Sequence, residues 1–378
     1  MDTKSFEKKI KVLYIVLEME LGGLQRIVNL LIQKINKEQF TPYLCCLDRG
    51  GLFCDEFSSD LIKRYVLGRK PGPFDFNMFR RLIAVIKKNK IDIIHSHSGC
   101  SSYAALAGRI AGVKGIIHTD HGRLVPDKKT AILEDRFASY MINHFVGVSA
   151  ELTEYLGSTV KVSRDKLTTV INGVDNQIFR PRSTIEKNAI KSRFDFNEED
   201  KIIGTVCRLD PIKNLTFMIL CMKDIIQKTP EAKLAIVGDG PAKASLADYA
   251  NSLGLPSYVH FLGSYTQTDE IMPMFDVYAC TSLSEGTSMT VLEAMSCGIP
   301  IVASAVGGNL TLVDESNGFL FSLCNPDRCT DAIVTLLRDE ATRSKMGRRS
   351  REIIDDNYSL YRMVEGYERL YLKSYGHL

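Results

Sequence analysis

Short runs of β-branched and other apolar residues alternate with amphipathic stretches of helical length along almost the whole chain. That rhythm restricts the fold to parallel sheets covered by helices. In the first half the strand candidates are residues 11–16, 43–47, 64–67, 92–97, 115–119 and 144–149. Helical stretches lie between most of them, for example 24–35 and 77–88, the latter with Phe79, Leu82, Ile83 and Ile86 on one face. A second series follows residue 180, at 201–207, 233–238, 259–263, 277–281 and 301–304. At 378 residues the chain is long for one core, since a domain usually takes about 100–200 residues. Two doubly wound α/β domains in tandem are expected, 1–175 and 176–357. They join near residues 172–181, where Asn172-Gly173 and Pro181 interrupt the pattern. The last stretch, about 358–378, reads as an amphipathic helix with Tyr361, Val364, Tyr367, Leu370 and Tyr371 on one side, packing back on the first domain.

Composition narrows the class. An apolar share of 45% and a charged share of 25% are ordinary for a soluble globular protein. No run of about 20 apolar residues is present to span a membrane. The first eleven residues are charged and lack the apolar core of a secretory signal, so a cytoplasmic location is expected. The ten cysteines agree: there is no Cys-x-x-Cys and no Cys/His grouping with zinc spacing, and reduced thiols acting as small apolar residues are the expectation. Residues 1–175 carry 26 Lys+Arg and 19 Asp+Glu, a net of +7, and the rest carries 22 and 26, a net of −4, which sum to +3. The basic half suits an anionic acceptor or peripheral contact with the inner face of the cell membrane, although charge also divides unevenly by chance. The stretch 64–81, with Pro71-Gly72-Pro73, Phe74, Phe76 and Phe79, reads either as part of such a surface or as a solvated loop entering a helix.

In doubly wound sheets ligands bind at the carboxyl ends of strands, where loops enter helices. Three loops of this kind carry chemistry. After strand 277–281 comes Ser284-Glu285-Gly286-Thr287-Ser288-Met289-Thr290-Val291-Leu292-Glu293, with seven residues between the two glutamates. Gly286 to Met289 are expected to form the first helical turn, whose unpaired amides and positive dipole end suit a phosphate or sugar hydroxyls. The carboxylates can each accept from paired hydroxyls; a capping Glu and a solvated Glu are the plainer alternative. After strand 201–207 come Arg208 and Lys213, two cations suited to a diphosphate or simply two exposed basic residues. After the first strand, Gly22-Gly23 permits close backbone approach, without completing a dinucleotide fingerprint. Gly238 and Gly240, in Val237-Gly238-Asp239-Gly240-Pro241, mark another strand-to-helix turn that is equally well explained as a tight turn. His95 and His97 project to one side of a strand, and His121 follows the fifth strand. No third metal ligand accompanies the histidine pair and no Asp-x-Asp triplet occurs, so no metal is required.

Taken in order, these stretches resemble glycosyltransferase family 4, the retaining group 1 transferases of GT-B fold. The similarity runs from Gly22-Gly23 through His118–Gly122, Val148-Ser149, Asn172-Gly173-Val174-Asp175 with Phe179 and Pro181, Arg208 with Lys213, Gly238–Pro241 and Phe261-Leu262-Gly263. It ends with Glu285 through Met295 and Gly298-x-Pro300-Ile301-Val302-Ala303. What the resemblance implies is two Rossmann-like domains facing a central cleft, the first binding the acceptor and the second a nucleotide-sugar donor. Glu293 would bind the ribose, Arg208 and Lys213 the diphosphate, and Glu285 with Gly286, Thr287, Ser288, Met289 and Thr290 the hexose. His121 would lie against the hexose, Gly22 and Gly23 would approach the phosphates, and Gly238, Gly240 and Leu262 complete the donor site. His121, Arg208, Lys213 and Glu285 are then the catalytic candidates. The implied reaction moves a hexose from a UDP- or GDP-sugar, with retention and without metal or other cofactor, to a carbohydrate or lipid-linked saccharide; no nucleic-acid partner is expected. A nucleotide-sugar 2-epimerase of the same architecture and a non-catalytic partner subunit are the alternatives.

Overall fold

The structure, a computed structural model, describes residues 8–20, 22–51, 54, 62–70, 75–122 and 127–376. The chain divides into two compact units, Met1–Asn172 with Arg362–Leu378, and Gly173–Tyr361. Among the described residues the first unit has seven strands: β1 (Ile10–Val16), β2 (Phe40–Cys46), β3 (Lys63–Val66), β4 (Ile93–His97), β5 (Gly115–Asp120), β6 (His144–Gly147) and β7 (Leu167–Thr169). They form one sheet in the order β3-β2-β1-β4-β5-β6-β7, and every pairing is parallel. The second unit has β8 (Lys201–Val206), β9 (Ala232–Val237), β10 (Val259–Gly263), β11 (Val277–Cys280), β12 (Ile301–Ser304) and β13 (Gly318–Phe321), ordered β10-β9-β8-β11-β12-β13. These too are all parallel. Strand order reverses between β1 and β4 and again between β8 and β11, the places where a doubly wound sheet opens a crevice.

The central strands are buried on both faces, which is why they read as unbroken apolar runs. Each unit has its own core. In the first, Leu13, Ile15, Ile94 and Phe145 from the sheet meet Phe79, Leu82 and Ile86 from helix Phe76–Asn89 and the small residues Ala104, Ala105 and Ala107 of helix Ser101–Ala111. In the second, Ile203, Ile236, Ala279 and Val302 meet Met218, Met222 and Ile225 of helix Leu215–Lys228 and Ile333, Leu336 and Leu337 of helix Pro326–Arg338. Local signals set the helix ends. Asp75 caps Phe76–Asn89 by accepting from the Met78 amide at 3.0 Å, and Ser183 with Glu186 forms a reciprocal capping box on helix Thr184–Arg193.

Two strands, β7 and β13, lie outside the sequence expectation. Both are short edge strands; Leu167-Thr168-Thr169 is only partly buried and carries no apolar run. The last helix, Leu360–Tyr375, buries Leu360, Met363, Val364, Tyr367, Leu370 and Tyr371, while Tyr361 is 75% exposed. The apolar stripe therefore starts at Leu360, and Tyr361, about 100° further round, points outward. Among the described residues no helix is long and apolar enough to cross a membrane. The ten cysteines are all unpaired by disulfides and eight are buried. Of the aromatic stretch noted above, Pro71 to Phe74 lies outside the described residues, Phe79 is core, and Phe76 is 62% exposed.

Candidate active site

The site in the second unit is built at the carboxyl ends of the two switch-point strands. After β8 the chain passes through Cys207, Arg208 and Leu209 into a single tight turn, Pro211–Lys213, and then into helix Leu215–Lys228. Asn214, left-handed with φ 51°, makes the sharp join, a conformation Asn tolerates better than most residues. Thr281, just past β11, donates to the carbonyls of Lys213 and Asn214 at 3.0 and 3.2 Å, and the Leu283 amide donates to Ile212 at 2.8 Å. These bonds tie the Lys213 turn to the neighbouring loop.

The result is a close ion pair. Lys213 Nζ lies 2.6 Å from Glu285 Oε1, and the glutamate side chain is 9% exposed. Ser282 Oγ donates to the same oxygen at 2.5 Å. Burial opposes the Lys213 charge, but the charge and hydrogen bond of Glu285 more than offset it, so the ammonium pKa is raised. Cys207, Tyr278, Ser282 and Thr290 line the small cavity around the pair. Burial pushes the Cys207 thiol up to about 12 and also raises Cys280, so neither is a thiolate at neutral pH. Arg208 differs: it is 73% exposed, with Asp210 Oδ2 at 3.4 Å.

The loop leading to Glu293 departs from expectation in one respect. Helix Met289–Ser296 begins at Met289 with Ser288 at its N-cap, so Gly286 and Thr287 belong to the approach loop rather than to the first turn. Gly, Thr and Ser in succession favour loop over helix. The loop rests on Gly307 and Gly308, where a Cβ would run into the carbonyls of Glu285 and Gly286, and the Gly308 amide donates to the Glu285 carbonyl at 3.1 Å. Sequence reasoning missed this glycine pair, as it missed Thr281 and Ser282. A Gly-Gly doublet shortly after a strand, as at Gly22-Gly23, was the available signal.

Glu293 is not the solvated helix glutamate of the plainer alternative. None of its surface is exposed, and Thr268 Oγ1 donates to its Oε2 at 3.4 Å. Thr290 Oγ1 meets the Tyr278 hydroxyl at 2.8 Å and Ser288 Oγ at 3.3 Å, and Met289 is buried. A buried carboxylate on an apolar helix is rare without a function. Gly238 and Gly240 have φ of 138° and 159°, and a Cβ on either would strike the carbonyl of Cys207 or Leu209. Their close approach is therefore to the loop that carries Arg208. Leu262 is half-buried in β10 and, like these glycines, does not line the Lys213–Glu285 cavity.

In the first unit, Gly22 is the extended N-cap of helix Gly23–Lys34, and among the described residues, its chain neighbours and its own helix backbone aside, none has an atom within 4 Å of where a Gly23 Cβ would lie. His121 follows β5, its Nε2 2.9 Å from His97 Nδ1. Burial, helped by His118, pushes its pKa down to about 3, and burial holds His95 and His97 well below the usual value as well. His95 is bonded on both nitrogens, to Tyr371 Oη at 2.7 Å and Thr119 Oγ1 at 2.8 Å. Among the described residues no group of three or more His, Cys, Asp or Glu is placed to hold a metal ion.

Residues 21–177 match the family model for glycosyltransferase family 4, and residues 186–353 match the model for glycosyl transferases group 1. The chain belongs to this glycosyltransferase family. Among relatives of this glycosyltransferase, an Escherichia coli UDP-Gal:alpha-D-GlcNAc-diphosphoundecaprenol alpha-1,3-galactosyltransferase is 28% identical over 385 residues, covering 98% of each chain. N-acetyl-alpha-D-glucosaminyl L-malate synthase of Bacillus anthracis is 26% identical over 325 residues, 83% of each chain. In fold, the glycosyltransferase is similar to Anabaena HepE in complex with UDP, with a TM-score of 0.84 at 18% identity over 96% of this chain and 99% of that one. WaaG, a glycosyltransferase involved in lipopolysaccharide biosynthesis, gives a TM-score of 0.76 at 12% identity over 95% and 99%. The fold is GT-B, two Rossmann-like units with parallel sheets.

Proposed function

We propose that this glycosyltransferase moves a hexose from a UDP- or GDP-sugar to a hydroxyl of a carbohydrate or lipid-linked saccharide, in polysaccharide or glycolipid synthesis, with retention at the anomeric carbon. The observation that carries the proposal is the Lys213–Glu285 pair at the β8/β11 switch point, with buried Glu293 on the helix that follows. In this reading the second unit, about 176–357, holds the donor. Glu293 takes the ribose hydroxyls, Arg208 and Lys213 the diphosphate, and Glu285 the hexose with Gly286 to Thr290. Gly238, Gly240 and Leu262 border the nucleotide. The first unit, about 1–175 with the last helix, reads the acceptor and carries the donor-binding candidates Gly22, Gly23 and His121.

The chemistry follows from charge. As the bond from the anomeric carbon to phosphate breaks, negative charge grows on the diphosphate and positive charge on the sugar ring. A fixed, partly buried cation stabilises the leaving group more in the transition state than in the ground state. Lys213 is held by Glu285 before any ligand arrives, so no reorganisation is needed to place it. Such contacts typically contribute about 2.7–4 kcal/mol. Neither metal nor other cofactor enters this scheme. The UDP complex of Anabaena HepE and the UDP-galactose donor in the E. coli relative's name support a nucleotide-sugar donor.

Calorimetric titration of the full chain with UDP- and GDP-sugars tests the reading. One donor should bind, and Lys213→Ala should weaken its turnover about 10²–10³-fold without unfolding the chain. No binding by any member of the panel to folded protein sinks the proposal, and epimerisation of a donor without acceptor would replace it with an isomerase.

Peripheral membrane contact through the basic first unit belongs to the same proposal, at the cytoplasmic face. Leu133, Phe137 and Tyr140 are 60%, 57% and 76% exposed along helix Lys129–Ser139 and its C-cap. Exposed Lys129 begins the same stripe, and Lys166 Nζ donates to the Ser139 and Tyr140 carbonyls. Vesicles containing anionic lipid should sediment the protein, and replacing Leu133, Phe137 and Tyr140 by Ser should release it; equal sedimentation of both would remove this surface from the proposal.

A further inference from the structure

His97 is wholly buried in the first unit, and nothing in the donor reading uses it. Its Nδ1 lies 2.9 Å from His121 Nε2, with ring centroids 5.1 Å apart. Its other nitrogen, Nε2, is buried without a hydrogen-bond partner among the described residues. Of two imidazole nitrogens in contact, one must carry the proton and the other a lone pair. Burial keeps both rings neutral, so each has a single proton to place.

Two arrangements are possible. If His121 donates from Nε2, His97 accepts at Nδ1 and must carry its own N–H on Nε2, where nothing receives it. If His97 donates from Nδ1, its Nε2 is a bare lone pair. A buried donor left without an acceptor is the rarer and costlier defect. The second arrangement is therefore favoured, and it puts the single proton of His121 on Nδ1. His95 cannot compete for either ring, because Tyr371 and Thr119 already occupy its two nitrogens. The backbone of His121 is also held, its amide by Ser98 Oγ at 2.9 Å and the next amide by Asp120 Oδ1 at 3.1 Å.

We propose that His97 is a positioning residue, which fixes the tautomer and ring orientation of His121 so that His121 offers an Nδ1–H donor to a sugar hydroxyl of the substrate. The pairing follows the general rule that the bond made by one imidazole nitrogen decides the state of the other. The tautomer stands on the geometry of the first unit alone; the sugar contact rests on the donor reading given above.

Two measurements separate these parts. Imidazole ¹H–¹⁵N NMR of the full chain, with His121 assigned by its loss in His121→Gln, should show His121 protonated on Nδ1. His97→Leu removes the donor and should move His121 to the Nε2–H form or a mixture. His97→Asn, whose amide nitrogen can stand where Nδ1 stood, should restore the Nδ1–H form. UDP release from UDP-galactose or UDP-glucose should then fall about 10–100-fold in kcat for His97→Leu, with KM little changed and most of the loss recovered in His97→Asn. A wild-type His121 protonated on Nε2, or a folded His97→Leu with the tautomer unmoved, overturns the proposal. Unchanged UDP release in His121→Gln overturns the sugar contact instead, and the NMR result still decides whether His97 sets the ring.

Discussion

Glu293 sits on a helix whose neighbours Val291, Leu292, Ala294 and Met295 are apolar and fully buried, and it has no solvent exposure itself. A carboxylate is an expensive choice for such a position, and Leu has a similar volume without a charge to desolvate. Stability alone would not select Glu here. Glu293→Leu is expected to leave the fold intact and raise its stability by about 1 kcal/mol, while donor binding is lost. Urea denaturation beside calorimetric donor titration gives both numbers. A marked loss of stability would show that Glu293 holds the fold rather than a ligand. Lys213 and Glu285 make the complementary case: each was visible as a residue type at a strand end, but their 2.6 Å contact joins positions 72 apart. Spacing along the chain does not carry that information, because the pairing depends on β8 and β11 lying side by side.

Elements differ in how much of their placement is local. The central strands were legible because a strand buried on both faces is an apolar run whatever surrounds it. β7 and β13 were not, since an edge strand of three or four residues is recognised mainly by the neighbour it pairs with. The start of helix Met289–Ser296 was misjudged for a related reason. Its approach loop is held from outside, by Gly307 and Gly308, and nothing in Gly286-Thr287-Ser288 announces that support. Gly238 and Gly240 were legible as a strand-to-helix turn, either a tight turn or one passing close to a nucleotide. What approaches them is the backbone of Cys207 and Leu209, so their first effect is to set the loop of Arg208. The last helix was read correctly as amphipathic, with Val364, Tyr367, Leu370 and Tyr371 buried; Leu360 and Met363 join that face, and Tyr361 alone of the expected residues lies outside it.

The two units carry different titration chemistry. Imidazoles with lowered pKa concentrate in the first, where burial holds His95, His97 and the partly buried His121 neutral, while His260 is the corresponding described histidine of the second. An unfolded imidazole, with a pKa of about 6.5, takes up a proton below that pH, and the folded ones do not. The unfolded state therefore binds more protons, and stability falls as pH drops from about 6.5 toward the folded values, about 3 for His121. Between pH 7 and 5 His121 alone accounts for about 2 kcal/mol. Calorimetry across that window should therefore show the first unit's transition moving to lower temperature; a transition independent of pH would contradict the neutral imidazoles. The same unit has an unusual relation to its own synthesis. The hydroxyl that satisfies His95 belongs to Tyr371, 276 positions later, and Tyr367 reaches Thr119 across 248. At about 5–20 residues per second, a ribosome leaves this polar face without its cover for on the order of tens of seconds. Through that interval the part of the molecule that leaves the ribosome first holds His95 and Thr119 without these tyrosine hydroxyls, and a chain released short of residue 367 never gains them.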